Sequence, residues 1–393
     1  MNYEIRFLRK LVSLNTDSET KENYSECAKL ICDEAKKLGL KTKIINVSAK
    51  DKLPRPNIVI ELNSGEKECM SVITHYDVVS AGDGWKTNPF KMRRKEDLLI
   101  GRGVNDDKGA IAAAFGAIKV LAKEKNLKRN IKLICACDEE VGGAYGIKWL
   151  TDNALDEIKS DFALVVDGSF TTVDAGCSGI IKGTIRLKGK QFHAGYPFRG
   201  PRIVHDSIPF LNDLLKYEEI MQTQVSNAPA PKEAPWDKVH GRFSITVLRA
   251  GKRHNIIPGR MRIGFDIRLI PEANVKKELD KFRRFARKLL KKYKLNGRVS
   301  LKGTDGYFIG ENNIYALEIQ KVGEKLFNSP RPIVCALGGM DGRFLARNDI
   351  PAISFGPGGG NAHEPNESIE IDNLKKVKEL IIELTKKEEE NIK

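Results

Sequence analysis

The sequence predicts an α/β fold: a layered domain with a largely parallel sheet between helices, interrupted by a small α+β domain. Strand-like and helical runs alternate through residues 1–178, the signature of a layered α/β domain. From 179 to 303 the pattern changes to longer alternating strands, and from 304 to 393 the first style resumes. A chain of 393 residues also exceeds what one core usually supports.

Each element follows from its residues. Leu8, Leu11, Val12 and Leu14 share one helical face, and a second helix over 23–38 stops at Gly39. Strands are expected at 43–47, 57–62 and 70–74, then a loop rich in Gly, Asp and aromatics over 80–104. Residues 107–122 (DKGAIAAAFGAIKVLA) read as a helix that is small and apolar on most sides, as in a helix buried between layers. A strand at 131–137, a short helix near 144–153 and a strand at 162–166 complete the first part.

In the insert, 180–188 alternates as a strand does, a helix is expected over 205–219, and strands follow at 243–249 and 261–269. A helix at 274–292 and a strand at 298–302 close it. The last part reads as helix 314–327, strand 332–335, helix 340–347, strand 351–355, a glycine loop and helix 372–387, with a charged tail from Lys386.

Composition excludes several classes. At 41% hydrophobic the chain holds enough for ordinary cores, and no apolar run is long enough to span a membrane. Net charge is +15, but lysines punctuate nearly every helix with glutamates close by, and no basic block is interleaved with aromatics. The charge is therefore read as an ordinary solvated surface, with no nucleic acid and no membrane as partner. The first ten residues mix acids and bases with apolar residues and show no leader pattern. The seven cysteines, an odd number mostly inside apolar runs, suit reduced thiols and a cytoplasmic location.

The chemistry shows in where the polar residues fall. His75 and Asp77 follow the strand at 70–74, two residues apart and so on one side of an extended segment. Asp138, Glu139 and Glu140 follow the strand at 131–137; Asp167 follows 162–166; His363 follows 351–355 and its glycine loop. Asp106 and Asp107 open the apolar helix, where either could serve only as a cap. In open α/β sheets, ligands bind outside the carboxyl ends of the strands. If these strands are parallel neighbours, the groups converge. Converging carboxylates repel, and two histidines do not neutralise them. Two divalent cations would. Three Asp or Glu with two His, one carboxylate shared, is the donor inventory of a two-metal hydrolytic site suited to zinc; cobalt and manganese stay open.

The motifs His75-Tyr76-Asp77, GRGVNDDKG (Gly101–Gly109), DEEVGG from Asp138, FHAGYP from Phe192, NIIP from Asn255, GGMDGR (Gly338–Arg343) and HEPNE from His363 run in one order along nearly the whole chain. In them the sequence resembles the co-catalytic zinc amidohydrolases and exopeptidases. These include succinyl-diaminopimelate desuccinylase, acetylornithine deacetylase, aminoacylase and carnosinase-type dipeptidases. The resemblance implies a zinc-peptidase-like catalytic domain with a mixed, largely parallel sheet, interrupted by a lid domain that often forms a homodimer.

It also implies roles. Asp106 bridges two metals, with His75 and Asp167 completing one and Glu140 and His363 the other. Asp77 orients His75, and Glu139 is the general base. His193, in the insert, stabilises the oxyanion. Arg343, Asn255 and the glycine loop beginning at Gly356 are candidates for gripping a substrate carboxylate, through an arginine fork and backbone N–H groups. The implied reaction is hydrolysis of an amide in a dipeptide, short peptide or N-acyl amino acid. Deacylases of the family mostly carry Glu where this chain has Asp167, which tilts the expectation toward a peptide. A binding module that keeps the fold without catalysis is the contrasting expectation; the presence of every ligand and of Glu139 speaks against it.

Overall fold

The computed structural model describes residues 2–387; the charged tail from Glu388 onward lies outside them. The chain divides into two compact units: Met1–Ala175 with Ile309–Ile333 and Met340–Lys393, and Gly176–Phe308 with Val334–Gly339.

In the first unit the strands stand in the order Lys41–Asn46, Pro56–Leu62, Asn130–Ala136, Cys69–His75, Phe162–Val165 and Ala352–Ser354. The first two pairings are antiparallel and the next three parallel, so the sheet is mixed with a parallel centre. The central strands are buried on both faces, which explains their near-continuous Val, Ile and Leu runs. Register places His75 beside Ala136, and Val165 beside both Ile73 and Ser354. The carboxyl ends of four strands therefore open at one edge.

The helix Lys108–Leu121 is buried along almost its whole length. A Cβ on Gly109 would come within 2.1 Å of the Val104 carbonyl oxygen, so only glycine lets the chain double back at the helix start. The segment expected as a loop over 80–104 contains a hairpin, Arg93–Lys95 with Leu98–Ile100, joined by Ser368–Glu370. Strands of three residues are too short to show a period in sequence. This small sheet ties the chain after His363 to the chain before Asp106.

The second unit has a four-stranded antiparallel sheet in the order Arg242–Ala250, Arg260–Leu269, Gly179–Lys188, Gly297–Thr304. Ile181, Ile185, Ile263 and Phe265 on one face pack with Phe210 and Phe282 of the helices Ile203–Leu215 and Val275–Lys292. Asn274 caps the second helix, its side chain accepting the N–H of Lys277 at 3.0 Å. The helix expected over 205–219 ends at Leu215, and a separate one spans Tyr217–Gln222. Among the described residues no helix is long and apolar enough to cross a membrane.

Candidate active site

Asp106 lies between two imidazoles. Its Oδ1 is 2.9 Å from His75 Nε2, and its Oδ2 is 3.0 Å from His363 Nε2. Glu140 Oε2 stands 3.0 Å from the same His363 nitrogen. Donor atoms of Asp106, Glu140 and His363 all fall within 4.8 Å of one another. Asp167 and Glu139 line a small cavity with His75, Asp107 and Asp341.

Backbone placement explains the convergence. His75 is the last residue of its strand, and its N–H goes to Asp107 Oδ2 at 3.1 Å. Asp107 makes no helix-capping bond, so the capping alternative fails for it. The Asp106–Asp107 peptide is cis. The ring of His75 holds its Nδ1 at 3.1 Å from the Asp77 carbonyl and 3.5 Å from Asp77 Oδ1. Asp77, fully buried, accepts the N–H groups of Glu139 and Glu140 at 3.2 Å each.

Asp138, grouped in sequence with the two glutamates, turns away. It pairs with Arg55 Nε at 2.7 Å and Lys21 Nζ at 3.1 Å, and accepts from Tyr24 at 3.2 Å. Its left-handed backbone, φ +60°, sends its side chain and those of its neighbours in different directions.

Two further carboxylates take part that no local sequence signal marks. Glu367, fully buried, accepts from Asn105 and Asp106 N–H through Oε1, and from Gly103 N–H and Arg102 Nη1 through Oε2. It holds the loop that carries Asp106, and it is the last residue of the HEPNE stretch. Asp341, in GGMDGR, lines the cavity with Glu139. Both motifs were visible, but nothing local in the sequence separates a carboxylate that supports a loop from one that binds.

The charges are not balanced by protein groups. Burial, and then Asp341, push Glu139 far above the ordinary carboxylate range. Burial and the Asp106 charge raise Asp167 to about 7. Burial opposes the low pKa of Asp106, but His363 and His75 outweigh it. His363 in turn is raised to about 10 by Asp106 and Glu140. Among the described residues, His75 Nε2 is buried without an aligned hydrogen-bond partner despite its closeness to Asp106, and Glu140 Oε1 has none either. Orphaned nitrogen and oxygen lone pairs beside excess carboxylate fit divalent cations.

The remaining candidates separate. Arg343 is 8% exposed, and among the described residues its Nε and Nη1 have no partner. The glycine loop corrects the expectation of free N–H donors. Gly356 gives its N–H to Ser169 and Gly358 to Gly168, while Gly359 gives to Asn105 Oδ1 and Gly360 to Ser368. Gly356 is there for shape: its φ is +83°, and a Cβ would meet the Phe170 ring at 2.5 Å. His193 and Asn255 belong to the second unit and lie side by side, the Ala194 N–H going to the Asn255 carbonyl at 2.9 Å. His193 is exposed, and its Nδ1 accepts the Gly195 N–H at 3.0 Å, so the neutral ring carries its proton on Nε2.

A layered α/β unit that gathers imidazoles around a shared carboxylate at its strand ends has the build of a metal-dependent hydrolase. The sequence model of peptidase family M20/M25/M40 matches residues 72–387. The chain is 30% identical over 363 residues to an uncharacterized metallohydrolase of Methanocaldococcus jannaschii, covering 87% of this chain and 86% of that one. It is 27% identical over 373 residues to a succinyl-diaminopimelate desuccinylase of Pelagibacter ubique, covering 91% and 92%. An M20 family metallo-carboxypeptidase of Sulfolobus solfataricus has the same fold, with a TM-score of 0.79 at 22% identity over 98% of each chain. The chain belongs to peptidase family M20/M25/M40 and is a metallohydrolase. A Bacillus subtilis protein of the same fold, with a TM-score of 0.64 at 15% identity over 97% of this chain and 96% of that one, is described as a dinuclear metal binding peptidase from the M20 family.

Proposed function

We propose that this protein hydrolyses the amide bond of a small carboxylate-bearing substrate, a dipeptide, short peptide or N-acyl amino acid. The observation that carries the reading is the Asp106 carboxylate held between His75 and His363 at 2.9 and 3.0 Å. His75, Asp106 and Asp167 would hold one divalent cation, and Asp106, Glu140 and His363 the other, with zinc the best match to the donors and cobalt or manganese next. When bound, such a pair supplies Lewis acidity that acidifies a water and polarises a carbonyl.

With the cations bound, Glu139 would be ionised despite its burial, and it would accept a proton from the attacking water and return it to the leaving amine. Asp77 orients His75 and the backbone under Glu139. Arg343, buried with an uncommitted fork, takes the substrate carboxylate. His193 donates from Nε2 to the oxyanion, with Asn255 beside it. Both belong to the insert, read as a lid and homodimerisation domain over 179–303, which would supply them from the same chain or from a second subunit.

Asp167 favours a peptide. The desuccinylase relative supports the second reading, an N-succinyl or N-acetyl amino acid deacylase. The test is a hydrolysis screen of dipeptides and N-acyl amino acids with added zinc or cobalt, beside Glu139→Gln. Cleavage of one group by wild type alone assigns the substrate class. Two bound metals with no cleavage of either group would overturn the substrate reading, and failure to bind metal would overturn the site.

A further inference from the structure

The net charge of +15 looks evenly spread in sequence. The second unit collects part of it on one surface. The face of its four-stranded sheet opposite the two helices carries Arg249, Arg262, Arg186 and Arg298 in one cross-strand row: Arg249 pairs Arg262, Arg262 pairs Arg186, and Arg186 pairs Arg298. All four are exposed, and none has a side-chain partner among the described residues. Lys182 pairs Lys302 four residues along, and Arg260 pairs Lys188 two residues to the other side. Between the arginine and lysine rows run Gly264, Thr184 and Ser300, small residues that leave a shallow trough. Within these strands Asp266 is the one acid, and it is already paired to Arg268 at 2.7 Å.

Like charges directly opposite one another destabilise a sheet. A bound polyanion removes that cost. Adjacent strands lie about 4.8 Å apart, so the four arginines span about 14 Å. A duplex offers one phosphate charge per about 1.7 Å of its axis, dense enough to meet the whole row. An extended acidic peptide turns one side chain toward a surface only about every 7 Å. The face offers no aromatic ring to stack on a base and no large exposed apolar side chain to enter a membrane. An arginine fork matches phosphate oxygens bidentately.

We propose that this face of the second unit binds the phosphate backbone of a nucleic-acid duplex, without reading its sequence. The proposal stands apart from the hydrolytic site, since none of these residues is placed in it.

The experiment uses the full chain. Anisotropy of a labelled duplex of about 20 base pairs is followed from about 50 to 200 mM salt. Phosphatidylserine vesicles and polyglutamate serve as competing anions. The expected result is binding of unrelated duplexes alike, with log affinity falling against log salt at a slope of about −4. Arg186→Gln with Arg262→Gln should weaken binding at least about tenfold and make the slope shallower by about 2. The variant should melt no lower than wild type, because repulsion is relieved. If it does melt lower, Arg298→Gln with Lys302→Gln at the sheet edge replaces it, with the same expected loss. No binding at the lowest salt, equal binding by the variants, or preference for vesicles or polyglutamate would each overturn the proposal.

Discussion

Asp77 Oδ1 accepts the backbone N–H of Glu139 at 3.2 Å. The residue that faces His75 thus also holds the loop carrying the general-base candidate. Two strand ends that are distant in sequence are fastened by one buried carboxylate. Replacing Asp77 by alanine should lower kcat by about 10–100-fold, the usual cost of losing a residue that orients a metal ligand. KM should change little. A variant with normal kcat and weakened substrate binding would place Asp77 elsewhere in the reaction.

Glu139→Gln keeps the side-chain volume and removes the proton acceptor. Turnover should fall by about 100–10,000-fold while metal content stays at the wild-type level. The two readouts are kinetics and elemental analysis of the same preparation. Loss of metal along with activity would make Glu139 a ligand instead.

Chelation should abolish hydrolysis and lower the melting temperature, and zinc or cobalt should restore both. A cation present at about a thousandfold its dissociation constant stabilises the fold by about 4 kcal/mol. Titration calorimetry should count two ions per chain. Asp106→Asn should reduce binding at both, since its two oxygens face different histidines.

Glu367 and Arg102 form an ion pair at 2.7 Å with both side chains buried. Removing one partner strands the other charge, at a cost of about 3–5 kcal/mol. Glu367→Ala should therefore unfold at markedly lower denaturant. What folded protein remains should bind metal poorly, because the loop of Asp106 has lost its acceptor. Wild-type metal affinity in that variant would show that the loop stands without it.

The acid limb of stability offers a test away from the metal site. Burial raises the carboxyl of Asp17, but hydrogen bonds from Ser80 and from the N–H groups of Thr20 and Glu19 bring it below its ordinary value. A depressed folded pKa contributes stability that is complete above the unfolded pKa of about 3.9 and is lost as pH falls through the folded value. Asp17→Asn should be less stable than wild type at neutral pH, and the gap should close in strong acid. A gap that is constant with pH would mean the carboxylate charge is not involved.

Much was legible in the sequence because it is local. Alternation and helical period marked the central strands and the helix Lys108–Leu121, and the polar residues following each strand marked where chemistry would gather. The misses were of two kinds. The hairpin Arg93–Ile100 is too short to carry a period. The glycine loop reads in sequence as a set of N–H donors, but its hydrogen bonds close on partners that no local pattern reveals: Ser169, Gly168 and Asn105, distant in sequence, and Ser368.

Most element types, and which strand ends carry polar residues, were already decided along the chain. Those depend on side-chain period and residue chemistry, which are written along the chain. Tertiary structure decided what each carboxylate does. Asp106 meets two imidazoles and Asp107 a backbone N–H, while Asp138 leaves for Arg55 and Glu367 supports a loop. It also decided that four arginines scattered from 186 to 298 stand side by side on one sheet. A carboxylate or a guanidinium acquires its role from the charges and donors within a few ångströms of it, and those are set by strand pairing and loop closure between distant parts of the chain.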